Sequence, residues 1–208
     1  MIGNRLFSKL VLGAFVLAAA SPSQAECRYK PNKEGFGFSF TAYAAPNKTY
    51  VIKDNRFKKF TLASPSGMLQ DASIEIDATS LDTGHDLNNG KGGEWPAAII
   101  PVRDSNVVNH FFKKFDNNPG VVSAKVAGIT KDGIDLAVTM NGVTKTVPMK
   151  SAVKDGVLSA TGTLNVLDFG TGKAFDAFRQ VCEMAFHQGK TWSDIEFEFH
   201  VPVEGSCS

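Results

Sequence analysis

Residues Ile195 to Val203 alternate without a break. Ile195, Phe197, Phe199, Val201 and Val203 are apolar, and Glu196, Glu198 and His200 stand between them. Successive side chains of a strand point to opposite faces, so this pattern is that of a strand with one face on a core and one in water. The same alternation recurs at Phe36, Phe38, Phe40 and Ala42, and at Ile134, Leu136, Val138 and Met140 against Asp135 and Thr139. It recurs again at Leu158, Ala160, Gly162, Leu164 and Val166, and from Ala72 to Ala78, where Ile74 and Ile76 oppose Glu75. Half-buried strands in this number favour antiparallel pairing. Asn141-Gly142, Lys131-Asp132-Gly133 and Lys154-Asp155-Gly156 supply the positive φ of tight hairpins. Up-and-down connectivity of this sort builds a closed antiparallel barrel or a sandwich.

Two segments carry a helical period instead. In the first, Asp104 or Ser105 caps a helix whose stripe is Val107, Val108, Phe111, Phe112 and Phe115, and Pro119-Gly120 stops it. The second runs near Phe175 to Phe186, with Phe175, Phe178, Val181, Cys182, Ala185 and Phe186 in phase and Gly189 as its stop. There is no internal repeat and no low-complexity tract, so residues 26–208 read as one domain, long enough to bury its own core.

Residues 1–25 read as a cleaved signal peptide. Arg5 and Lys9 form a positive start, Leu10 to Ala20 an apolar run too short to span a bilayer, and Ser23-Gln24-Ala25 a cleavage site. Cleavage there removes two positive charges and takes the formal net charge from +1 to −1. A near-neutral chain with scattered pairs such as Lys58-Lys59 and Lys113-Lys114 lacks the basic stripe that nucleic acid requires. Three cysteines in an exported chain imply one disulfide and one spare thiol, and Cys27, Cys182 and Cys207 permit three pairings.

Signals for catalysis are poor. His85, His110, His187 and His200 lie far apart, none at metal-site spacing, and no cofactor motif is present. His187, near the end of the second helix, can complement the helix dipole. No Gly-x-Ser-x-Gly elbow and no Cys-x-x-Cys pair occurs. Gly170-Thr171-Gly172-Lys173 fails the phosphate-loop motif at Leu167 and Ala174, and reads as a turn into the second helix. Arg103-Asp104 reads as a capping and anchoring pair rather than an acid–base pair. The compositional oddity is sixteen Phe against two Trp and three Tyr. Core packing accounts for any one of them. Together, on the inward faces of a barrel, they describe an apolar lumen.

The order of these pieces resembles the YceI-like family. The matching segment is a strand leading to Thr79-Ser80-Leu81-Asp82-Thr83-Gly84, then Arg103-Asp104, then a helix with the pair Phe111-Phe112. Phe38 to Tyr43 with Lys48 and Phe57, Asn141 to Met149, and Thr191-Trp192-Ser193-Asp194-Ile195 are similar to further segments of that family. Two features depart from it. Asn106 stands where the family often has His, and residues 85–102 form an insertion, read as a loop, between Thr83-Gly84 and Arg103-Asp104.

The resemblance implies an all-β fold: a lipocalin-like, antiparallel up-and-down β-barrel with two short helices, exported to the periplasm. It implies a non-enzymatic role, the binding, carriage or sequestration of a long apolar molecule such as a polyisoprenoid, fatty acid or fatty amide. The rival readings are an envelope stress or interaction protein that works through the surface of a packed barrel, and an enzyme using Arg103, Asp104 and a His. The apolar faces nominate Phe38, Phe40, Phe57, Ile74, Ile76, Phe111, Phe112, Leu136, Phe197 and Phe199 as the lumen wall. The subgroup that the Trp192 region resembles implies a Cys27–Cys182 disulfide, with Cys207 free on a tail. A lipid or isoprenoid is the expected partner, and a homodimer is compatible with the sequence.

Overall fold

A computed structural model describes residues 27–88, 93–182 and 187–207. Among these residues the strands are β1 (Cys27–Pro31), β2 (Gly37–Ala44), β3 (Tyr50–Phe57), β4 (Phe60–Ala63), β5 (Ser73–Asp77) and β6 (Leu81–Asp82). After helix α1 (Ile99–His110) come β7 (Val121–Ile129), β8 (Gly133–Met140), β9 (Val143–Lys154) and β10 (Val157–Asn165). Helix α2 (Gly172–Cys182) precedes the last strand, β11 (Asp194–Cys207). The strands form one curled sheet in the order β4-β5-β7-β8-β9-β10-β11-β2-β3-β6, with β1 added to the end of β11. Every pairing is antiparallel.

The antiparallel barrel that the resemblance implies is therefore present, but its ladder does not run all the way round. The two ends of the sheet, at β4 and at β3–β6, are joined by the chain itself. Lys58 N donates to Ser80 O (3.0 Å) and Asp77 N donates to Lys59 O (3.1 Å), which holds this corner together. The Phe36 and Phe60 rings meet across it at 5.8 Å.

Turn chemistry explains most of the hairpins. Asn141 and Gly142 (φ 51° and 76°) and Asp155 and Gly156 (φ 53° and 75°) adopt the left-handed conformation that type I′ turns need. Lys131-Asp132-Gly133 turns with no positive φ, contrary to expectation. Thr130 N instead donates to Gly133 O (2.9 Å).

Helix α1 begins five residues before the expected cap. Its first turn contains Pro101, which that turn tolerates because the missing N–H has no intrahelical partner there anyway. Asp104 thus lies inside the helix rather than at its start, and the insertion expected to be all loop ends in helix. Phe111 ends α1, and Phe112–Lys114 continues as a single 3-10 turn. Phe111, Phe112 and Phe115 are all buried, as their stripe predicts. For α2, Thr171 holds the start: its Oγ1 donates to Val166 O (2.7 Å) and its carbonyl accepts from Phe175 N (2.8 Å). Ala185 and Phe186, expected on this helix, lie outside the described residues, as does the whole predicted signal segment.

The disulfide joins Cys27 to Cys207, not to Cys182. The C-terminus is no free tail. Strand β11 continues to Cys207, and β1 lies antiparallel along it with Cys27 directly opposite, the two Cα atoms 3.9 Å apart. Gly205 (φ 115°) makes that approach possible, since a Cβ there would sit 2.0 Å from Arg28 O. Cys182 is the free thiol, placed against the Asn106 side chain, with burial pushing its pKa up to about 11.

Peptide mapping without reductant should therefore recover a Cys27–Cys207 peptide, with the alkylating label on Cys182 alone. With the two cysteines 180 positions apart in sequence, replacing both with Ser should cost about 5 kcal/mol in the chain-entropy treatment, read from urea denaturation. A dominant Cys27–Cys182 peptide would overturn the assignment.

Candidate functional site

The barrel interior is divided. Ile134, Met149, Leu158, Ala160 and Phe169 are fully buried and pack solidly against one another and their neighbours. The inward faces of β2, β3, β5, β7 and β11 instead wall a cavity of about 360 Å³, within the usual range for ligand pockets. Leu164 and Val166 border this cavity, whereas Leu158 and Ala160 of the same alternating face do not. Sequence alternation identifies an inward face. It does not distinguish filled space from empty space.

All ten residues nominated for the lumen border the cavity: Phe38, Phe40, Phe57, Ile74, Ile76, Phe111, Phe112, Leu136, Phe197 and Phe199. Phe57 is the centre of the aromatic wall. Its ring lies 5.5 Å from Phe40, 6.3 Å from Phe38 and 5.7 Å edge-on from Phe112. Phe111 touches Phe112 and Phe115, both at 5.2 Å, and Phe178 of α2 at 6.4 Å. Interlocked rings are stiff, so the wall holds its shape without a side chain filling the middle.

The cavity follows β2 from one end of the barrel to the other. At the first end lie Lys33, Leu62 and Val201; at the second lie α1, α2, His187 and Thr191. The eight residue steps from Phe36 to Ala44 span about 26 Å at roughly 3.3 Å each. Helices α1 and α2 pack together at the second end. Val102 and Val181 there border the cavity while 52% and 42% exposed, and so form an apolar lip.

The second end is also where polar groups enter. A register shift between Phe40 and Ala42 bulges the β2–β3 ladder, and Asn55 fills it, its Nδ2 donating to Phe40 O (3.0 Å) and Ile52 O (2.9 Å). Arg103 and Asp104 do not form an acid–base pair. They grip Thr83 from two sides. Arg103 Nη2 donates to Thr83 O (3.0 Å), while Asp104 Oδ1 accepts from Thr83 N (3.0 Å) and Thr83 Oγ1 (2.8 Å). This grip fastens α1 to the residue after β6. It gives the Thr-Gly and Arg-Asp pairs a structural meaning. Burial raises the Asp104 pKa, against the lowering effect of the Thr83 bonds.

His187 is not a dipole partner on the surface. Its Nδ1 lies 2.8 Å from Thr191 Oγ1, and its ring sits between Tyr50 (5.6 Å) and Phe178 (6.1 Å). Burial pushes its pKa down to about 4, so the imidazole is neutral. Tyr50, whose phenol burial raises and Arg103 lowers, shares this end of the cavity. None of these groups was nominated for the lumen from the sequence. One signal was available for Arg103: it stands three, four and eight residues before Asn106, Val107 and Phe111, on the inward stripe of α1.

Residues 39–203 match the YceI-like domain family. No curated protein matches the chain. Among solved structures the chain is similar to a polyisoprenoid binding domain from Saccharophagus degradans implicated in plant cell wall breakdown. It is 12% identical to that domain with a TM-score of 0.57, over 86% of this chain and 99% of the other. It is also similar to BcnA of Burkholderia cenocepacia, at 16% identity and a TM-score of 0.46, over 80% of this chain and 96% of that one. At these identities the likeness to the first structure establishes the fold.

The His187 environment has a measurable consequence. Its pKa is lower in the folded chain than the ordinary value near 6.5, so the unfolded chain takes up the proton first. Stability held above pH 6.5 is lost as pH falls toward 4. Between pH 7.5 and 5.0 this should amount to about 1–2 kcal/mol, and His187→Gln should lack that increment. Urea denaturation of both proteins at the two pH values checks it. An unchanged pH dependence in the variant would reject a neutral, buried His187.

Proposed function

The chain belongs to the YceI-like family, and on that premise we propose that it carries or sequesters a long apolar molecule in the bacterial periplasm. A polyisoprenoid, a fatty acid or a fatty amide fits the chemistry. One observation carries the reading: the Phe-walled cavity that follows β2 through the barrel and opens between two apolar residues, Val102 and Val181. Water gains little in such a space, whereas a hydrocarbon chain sheds its apolar hydration there. Burying roughly 400 Å² of ligand hydrocarbon at about 25 cal/mol/Å² favours binding by about 10 kcal/mol gross. Loss of translational freedom and ligand ordering offsets much of this. The remainder sustains affinity with no specific hydrogen bond along the chain.

Export fits the same reading. Cleavage after Ala25 would start the mature chain at Glu26 and keep Cys27, the first residue of β1 and one half of the disulfide. The periplasm is oxidising and suits such a bond. Sequencing of the periplasmic protein should return Glu26 as the first residue, and recovery of the full-length chain in the membrane fraction would reject this.

The lumen is tested by charge. Ile76 is buried and faces the cavity, while Glu75 beside it is exposed. Ile76→Asp should abolish lipid uptake, because a carboxylate there must draw in water or stay protonated. Glu75→Lys should leave uptake nearly unchanged. Circular dichroism establishes that Ile76→Asp folds, and mass spectrometry of gently purified protein counts bound lipid. Undiminished lipid in folded Ile76→Asp would defeat the reading. So would wild-type protein that never carries an apolar molecule, and that result would favour action through the barrel's surface.

A further inference from the structure

Arg103 is 9% exposed and borders the cavity. Its Nη2 donates to Thr83 O and the Tyr50 phenol lies against the guanidinium, but Nε and Nη1, both buried, make no hydrogen bond of normal geometry among the described residues. A buried guanidinium carries a full charge at any physiological pH, and leaving it uncompensated is costly. Among the described residues no carboxylate answers it: Asp104, its neighbour in sequence, is turned onto Thr83, and no described Asp or Glu lines the cavity. The other polar side chains that the described residues place along this end of the cavity carry no charge, among them the Tyr50 phenol, Asn55, Asn106, the thiol of Cys182 and the imidazole of His187. Among the described residues the one other cation lining the cavity, Lys33, is exposed at the far end of the barrel.

We propose that the cavity selects an amphiphile with an anionic head, a carboxylate or a phosphate monoester, seated against Arg103 with its tail along the Phe-walled lumen. This rests on the carrier reading and adds a direction and a head group to it. A guanidinium offers parallel N–H donors whose spacing matches two oxygens of a carboxylate or phosphate. With Nη2 committed to Thr83, Nε and Nη1 remain for the head. The apolar wall accepts any tail that is long enough, so the charge decides among ligands of equal hydrocarbon content.

The test uses the mature chain freed of co-purified lipid, with displacement of Nile red as the readout at pH 8.5. Oleate is compared with oleamide and oleyl alcohol, and farnesyl phosphate with farnesol. Wild type should prefer the anionic member of at least one series by about ten-fold or more. Preference in the oleate series alone identifies a carboxylate head, and preference in the farnesyl series alone a phosphate head. Arg103→Met should lower anion affinity to that of the alcohol while alcohol affinity stays within about three-fold. Arg103→Lys should keep an intermediate preference. If Arg103→Met does not fold, the wild-type preferences and Arg103→Lys decide. Equal wild-type affinity for charged and uncharged members would overturn the head-group assignment and leave the carrier reading standing. Equal losses for anion and alcohol in a folded Arg103→Met would make Arg103 a structural anchor and overturn the assignment too. Binding of no member by wild type would overturn the carrier reading, and this inference with it.

Discussion

Strand β11 is the seam on which the sheet depends. It pairs with β10 along one edge, with β2 along the other and with β1 at its far end. Without it the meander from β7 to β10 would have an open edge, and β2 and β3 would have no sheet to join. Its inward residues Phe197 and Phe199 face Phe40 and Phe38 across the β2 ladder, so the seam is also an aromatic wall of the cavity. Its outward glutamates lie on the solvent side, where Ser39 Oγ donates to Glu198 Oε1 (3.1 Å). The alternation that makes β11 legible in the sequence thus also separates lumen from water.

What the sequence carried and what it hid follow from the range of the interactions. Alternation and tight turns are local, and the strands containing Phe38, Ile76, Leu136 and Phe197 fall where those signals put them. The stripe through Phe111 and Phe112 is local too, although Pro101 disguised the first turn of α1 as loop. The cysteine pairing is different. It is fixed by which strand lies beside the end of β11, a contact between the two extremes of the chain that no neighbouring residue records. The cavity was legible only in part, because an inward Leu158 and an inward Leu164 look alike until the opposite wall is known. Arg103 was legible in phase but not in meaning. Its neighbour Asp104 suggested a pair, and only the bonds to Thr83 show the two side chains turned to different tasks.

Aromatic residues and one buried cation divide the labour of the interior. Rings around Phe57 hold a space open by packing on each other, which side chains with more rotamers could not do without collapsing inward. The polar groups are gathered at the helical end, where the Thr83 grip and the Asn55 amide fix the backbone. The lumen wall is thus mostly apolar, with a buried guanidinium at its helical end.

The bond between Cys27 and Cys207 closes almost the whole described chain into a ring. On a chain made from its N-terminus onward, Cys27 emerges first, and its disulfide partner is the last residue of the last strand. Strand β2 waits with it, since its β11 partner lies 159 residues away at Ser39 and Glu198. The earliest part of the sheet therefore cannot be finished before the latest, whereas the pairings of β7 to β10 are all between neighbours in sequence. The middle of the sheet is thus local in sequence and its edges are not, and the covalent closure joins the two residues of the ring that lie farthest apart along the chain.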